Sequence, residues 1–249
     1  MSEYLLSTII ERSFDSPEHH FTADDLDAIK AAWHSLRHER VGLEGGQRSE
    51  RLEFCRRAIS SGRFHAIVLS DLSEDERAVP ELEQALGSTL QTFVRGGGPI
   101  AITSAEPARA LPTLRRLFDV DWNQGGRNRA TWGPVRGNAT RVEAAFPGTL
   151  ATRSFNVTAS AVCNVPRRER MYGAVTGSSK QRTLNDVVVA MHAYGEGSIA
   201  LFCDVNMEAV TVQLVLGYCR EKSAVASPRR EKPLFFFSQG KYSPMLLRY

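Results

Sequence analysis

Few residues in this chain have the types and spacing that chemistry needs. Four cysteines occur, Cys55, Cys163, Cys203 and Cys219. None forms C-x-x-C and none has a histidine at zinc-ligand spacing, which argues against thiolate metal centres and dithiol redox chemistry. Cys203 and Cys219 lie in strongly apolar segments, where a free cysteine serves as a small buried hydrophobe. His34 and His38 stand four apart, which puts both imidazoles on one face of a helix. A zinc site needs three protein ligands, and no third is identifiable. His19 and His20 are adjacent, followed by Asp24 and Asp25, and read as a solvated segment before a helix cap. Gly96-Gly-Gly98 lacks the Lys-Ser/Thr of a phosphate loop and precedes a strand rather than a helix. Arg127, Arg129, Arg136 and Arg141 with Trp122 and Trp132 make a basic-aromatic patch of the kind that stacks a base or holds an acidic ligand. No RNA-binding signature accompanies it, so the expectation is a solvated loop with the tryptophans packed on a sheet.

The elements that must position these residues follow from periodicity. Thr22 caps a helix over 23–38, with Leu26, Ile29, Trp33 and Leu36 at helical spacing. Leu52, Cys55, Ala58 and Ile59 mark a second short helix, ended near Gly62. Phe64-His-Ala-Ile-Val-Leu-Ser70 reads as a buried parallel-type strand ending at Asp71. Pro80 opens a helix at its first turn, and Leu82, Leu86, Leu90 and Phe93 give it one apolar stripe. Pro99-Ile-Ala-Ile-Thr103 is a second buried strand, and Pro107 begins a third helical stretch to about Phe118. The strand-to-strand interval of roughly 35 residues is that of a βαβ unit. Residues 119–160 lose helical periodicity and read as an irregular excursion with short strands. A hairpin follows over 186–203, turning at Tyr194-Gly-Glu-Gly197. Asn206 then caps a helix over 207–219. The basic, then apolar, segment 220–249 reads as a disordered or loosely docked tail.

The composition is that of an ordinary globular domain. The chain has 249 residues, 42% hydrophobic and 24% charged, with a net charge of +3. This excludes a wholly disordered chain, a collagen and a disulfide mini-protein. No apolar run approaches the ~20 residues of a membrane span, and Met1–Ser13 lacks the basic and cleavage features of a signal peptide. A cytoplasmic protein with reduced thiols, no cofactor and no membrane partner is the expectation. Mild, dispersed basicity gives little reason to expect nucleic acid, which leaves an unknown small molecule or a protein as partner.

Together, Val-Leu-Ser-Asp71, the helix ending Phe93-Val-Arg-Gly-Gly-Gly98 and the strand Ile100-Ala-Ile-Thr-Ser104 resemble the class I glutamine amidotransferase-like superfamily, closest to its ThuA-like branch and uncharacterised fungal relatives. Tyr194-Gly-Glu-Gly-Ser-Ile-Ala-Leu-Phe-Cys-Asp-Val-Asn206 resembles that group's closing hairpin. The likeness covers 64–219, after an N-terminal helical segment 1–63 whose Tyr4–Ile10 run offers at most a degenerate first strand. It implies a flavodoxin-like three-layer α/β/α sandwich with a mostly parallel sheet and a C-terminal β-hairpin. Any site then lies at the carboxyl edge of the strands, where Asp71, Thr103 and Asn206 are candidate ligand-binding residues.

The superfamily's amidotransferases carry a cysteine in a G-x-C-x-G elbow and a later His-x-Glu pair. Here the elbow reads Ile102-Thr-Ser-Ala-Glu106, with Ser104 in the nucleophile position and no glycines. Asp204-Val-Asn206 stands where His-x-Glu would be. Glutamine hydrolysis is therefore not expected. The leading expectation is a non-catalytic ligand-binding or protein-interaction module. The alternatives are a ThuA-like hydrolase of a small sugar-related substrate, with Ser104 and Asp204 as catalytic residues, and weak anionic-partner binding through the arginine-rich loop. Ser104 as nucleophile needs a base such as His192; otherwise Ser104 reads as a helix N-cap, Asp204 as a polar strand terminus and His192 as a sheet histidine.

Overall fold

A computed structural model describes residues 38–42, 48–62, 64, 66–70, 78–146, 152–175, 185–205, 209–226 and 234–238. The helix expected at 23–38 falls outside these up to residue 37. His38 itself opens a strand, so the helical pairing of His34 with His38 is corrected.

Among the described residues, two kinds of strand share one nine-stranded sheet. The first kind is parallel. It comprises β1 (His38–Gly42), β2 (Ala66–Ser70), β3 (Pro99–Thr103), β8 (Gly197–Phe202) and β9 (Leu234–Ser238), in the order β1-β9-β2-β3-β8. Helix α1 (Arg48–Ser60) lies between β1 and β2 in the chain. Helix α2 (Ala78–Arg95) joins β2 to β3, and their parallel register, Ile67 opposite Ile100 and Ser70 opposite Thr103, is the βαβ unit read from the sequence. Leu82, Leu86 and Leu90 of its stripe are buried against the sheet core, while Phe93 is partly buried on it. Helix α3 (Pro107–Phe118) follows β3, and helix α5 (Ala209–Ala226) follows β8.

The second kind is antiparallel. Strand β4 (Asn123–Pro134) pairs with β5 (Phe155–Cys163) and with β6 (Arg170–Ala174); β5 and β6 each pair with β7 (Val187–Tyr194). Four strands in the cycle β7-β5-β4-β6-β7 therefore close on themselves into a small antiparallel barrel, joined to the parallel strands through β7–β8. This overturns the flavodoxin-like, mostly parallel sandwich. The physical reason lies in the connections. Parallel neighbours need a crossover of a dozen or more residues, usually a helix. Between β4 and β8 the described helices are the five-residue α4 (Ala139–Glu143) and two single 3-10 turns, so these strands pair antiparallel.

The excursion expected at 119–160 is thus regular structure. Strand β4 hid because Asn123-Gln-Gly-Gly-Arg-Asn-Arg has no apolar alternation, and its register shifts between Gln124 and Arg127. Glycine is required at the shift, since a Cβ on Gly125 would stand 2.8 Å from Asp186 Oδ1 and 3.2 Å from the Ala161 carbonyl oxygen. Trp132, Phe146 and Tyr172 are sealed in the barrel core, with the Phe146 and Tyr172 rings edge to face at 5.5 Å. Both tryptophans of the basic-aromatic patch are buried, as expected, and Arg127, Arg129 and Arg136 are exposed. The segment read as a tail contributes the last turns of α5 and the whole of β9. No described helix is long and apolar enough to cross a membrane.

Candidate functional site

Two buried polar groupings stand out, and they lie at opposite ends of the strands. The first is the carboxyl edge of β3 and β8. Thr103 ends β3 opposite Phe202, and Ser104 follows, its N–H donating to the Phe202 carbonyl at 3.0 Å. Asp204 lies just beyond β8 and is held by an isolated bridge to Ala159 of β5. The Thr211 hydroxyl, from the first turn of α5, donates to Asp204 Oδ2 at 2.7 Å. Ser104 and Asp204 are each 1% exposed, and Thr103 and Thr211 are also buried. Asp71 and Asn206, the other candidates for this edge, lie outside the described residues.

Ser104 has an unusual position. Its Oγ is buried and has no hydrogen-bond partner among the described residues. Asn128 Oδ1 and Arg141 Nε share that condition, but on half-buried residues. Ser104 is not the cap of α3: the N-cap is Glu106, with Pro107 behind it and no side-chain cap bond. The cap reading is corrected, because Ser104 stands two residues too early to reach the first-turn N–H groups.

The nucleophile reading also loses its base. His192 sits opposite Ile199, and Ile199 opposite Ile100. Ser104 lies four residues beyond Ile100, a separation of roughly 13 Å along the strand direction. A general base must come within about 3 Å.

His192 instead belongs to the second grouping. Its Nδ1 lies 3.0 Å from Glu169 Oε1, and Trp122 Nε1 donates to Glu169 Oε2 at 2.8 Å. Glu169 ends the 3-10 turn Arg167–Glu169 and is 4% exposed. Burial pushes its carboxyl up, but the hydrogen bonds from His192 and Trp122, with the His192 and Arg168 charges, outweigh this and hold it below the ordinary carboxylate value. One carboxylate thereby ties together the segment before β4, the turn before β6, and β7. Nδ1 faces an acceptor, so it is the ring nitrogen that donates to Glu169.

Sequence reasoning missed Glu169 and Thr211. Arg-Arg-Glu-Arg170 reads as a solvated charge run, and no local signal says its one acid is buried. Thr211 could have been found, since a hydroxyl in the first turn of a helix after an Asp is a natural local donor.

The cysteines offer no nucleophile. Cys55, Cys203 and Cys219 are buried, and burial raises the Cys203 and Cys219 thiols far above their ordinary value. Burial, with the Asp186 charge, also raises Cys163. No cluster of three or more His, Cys, Asp or Glu side chains able to hold a metal occurs among the described residues.

The chain matches no known protein family and no curated protein sequence. Among the solved structures that bear a faint likeness to it are two enzymes. One is a beta-galactosidase from Rahnella sp. R3, with TM-score 0.40 and 14% identity over 64% of this chain and 23% of that one. The other is the exo-beta-1,4-mannosidase Op5Man5 from Opitutaceae bacterium strain TAV5, with TM-score 0.36 and 11% identity over 84% of this chain and 39% of that one. The chain spans well under half the length of either enzyme.

Proposed function

We propose that this chain is a non-catalytic binding module whose ligand meets the carboxyl edge of β3 and β8. The observation that carries the reading is Ser104 Oγ, a buried hydroxyl with no partner among the described residues. A buried hydroxyl left unpaired costs about 1–3 kcal/mol, and a polar ligand group supplying the missing bond would recover that cost. Asp204 and Thr211 alongside give the edge an acceptor and a hydroxyl, so a small ligand bearing both donors and acceptors suits it.

Catalysis forms no part of this reading. Ser104 Oγ has no hydrogen-bonded base among the described residues, and the cysteine and His-x-Glu of the amidotransferase resemblance are absent from their places in the sequence. The test is a thermal-shift screen of the purified protein against sugars, amino acids, nucleotides and metal ions, since binding to the folded state raises Tm by mass action. A Tm rise with one ligand class, lost in Ser104→Ala or Asp204→Ala, is the expected result. Ligand-independent Tm at millimolar concentrations would overturn the small-molecule reading and turn the search to protein partners.

A further inference from the structure

Strand β9 enters the sheet out of order. It is the last of the described elements in the sequence, yet it lies between β1 and β2 and runs parallel to both. Its register is continuous across the three strands: Leu234 faces His38 and Ala66, Phe236 faces Arg40 and Val68, and Ser238 faces Gly42 and Ser70. Among the described residues β1 has no other strand neighbour. Without β9, β2 presents an open edge, and β1 stands two strand spacings away, about 9.6 Å. The gap is a slot with an unpaired row of N–H and C=O groups on each wall, a ready template for an added strand.

The sequence on either side of position 233 changes abruptly. Ser227-Pro-Arg-Arg-Glu-Lys-Pro233 is polar, charged and bounded by prolines, and Leu234-Phe-Phe-Phe237 is wholly apolar. Exchange of an identical element between two chains is a low-cost route to a dimer, and here the element is a cohesive strand behind a polar connecting stretch. The slot's register is already matched to this strand on both walls, and a second copy carries the same strand. No new interface has to be invented: each exchanged strand remakes the pairings it makes within one chain, and reciprocal exchange closes a two-fold dimer.

We propose that the slot between β1 and β2 accepts β9 from a second copy of this chain, so that two copies exchange their ninth strands. The chain's own strand has a high effective concentration at the slot. Single copies therefore dominate in dilute solution, and exchange grows when chains fold together in concentrated solution.

Two full-length populations with different fluorophores, unfolded together and refolded at rising concentration, test this by size separation. The expected product is a dimer carrying both labels, its share rising with concentration. Phe236→Pro removes a ladder donor in mid-strand and should abolish the mixed dimer. Where that variant does not fold alone, a synthetic peptide of residues 233–240, added as it refolds, should be captured and a scrambled peptide should not. The proposal is overturned by monomers at every concentration, by mixed dimers that form equally well with Phe236→Pro, by equal capture of the scrambled peptide, or by no capture of either.

Discussion

Asp204 and Glu169 are both buried carboxyl groups, and they sit among different partners at opposite ends of the strands. Glu169 has both oxygens engaged, one by the Trp122 indole and the other by the His192 imidazole, with Arg168 Nε at 3.7 Å. It closes a polar cluster at a junction of three chain segments. Asp204 accepts a hydrogen bond from Thr211 and lies at the same strand edge as Ser104, whose buried hydroxyl is unpaired among the described residues. A closed polar cluster specifies structure, because every member depends on the others. An edge with an unmade bond is where a ligand gains most. The Glu169 cluster therefore reads as architecture, and the Ser104 edge is where the proposed ligand would bind.

The contrast is easiest to break at its strong end. Glu169→Ala strands a buried indole N–H and leaves His192 without its acceptor; it should cost about 3 kcal/mol in denaturant melts, with no effect on ligand-induced Tm shifts. A loss below 1 kcal/mol would mean the cluster is incidental. Asp204→Ala leaves the Thr211 hydroxyl unpaired and should cost less, about 2 kcal/mol, while also abolishing any ligand response. If Asp204→Ala proves the costlier of the two, the roles assigned to the two carboxyls are reversed.

Acid sharpens the comparison further. Glu169 is held below its ordinary value in the folded state, so its contribution is complete above the unfolded carboxylate pKa, about 4.3. That contribution is lost as pH falls through the lower folded value. Glu169→Gln should flatten the acid limb of the stability profile, and an unchanged limb would show that other carboxyls govern it. The smallest effect belongs to Ser104→Ala. Deleting a hydroxyl that makes no bond among the described residues should change stability by no more than about 0.5 kcal/mol, or raise it slightly. A loss of 1 kcal/mol or more would reveal a partner for Ser104 and remove the basis of the proposed binding edge.

Legibility followed the range of the interactions. Strand β2, helix α2 and strand β3 were readable because Ala66-Ile-Val-Leu, the Leu82, Leu86, Leu90 stripe and Ile100-Ala-Ile are local patterns that match their elements. The β7–β8 hairpin was readable from Tyr194-Gly-Glu-Gly, where Gly195 adopts φ 64°. Strand β4 was not, since its polar, glycine-rich first half is extended only because β5 supplies the ladder. Of the candidate site, Ser104, Thr103 and Asp204 were named from the sequence. The separation of Ser104 from His192 was not, because it is set by the register of β3, β8 and β7 together.

The sequence by itself determined the local chemistry: four dispersed cysteines with no C-x-x-C, no amidotransferase elbow, one βαβ unit and one hairpin. Each follows from residues within a turn or two of one another, where spacing alone decides. Only the tertiary structure decided that four strands close into a barrel, that Glu169 meets Trp122 and His192, and that β9 fills a slot between β1 and β2. Such contacts join residues dozens of positions apart. They form only when burial and a complete hydrogen-bond ladder outweigh the entropy of closing the intervening chain, a balance struck across the whole sheet and written in no single segment.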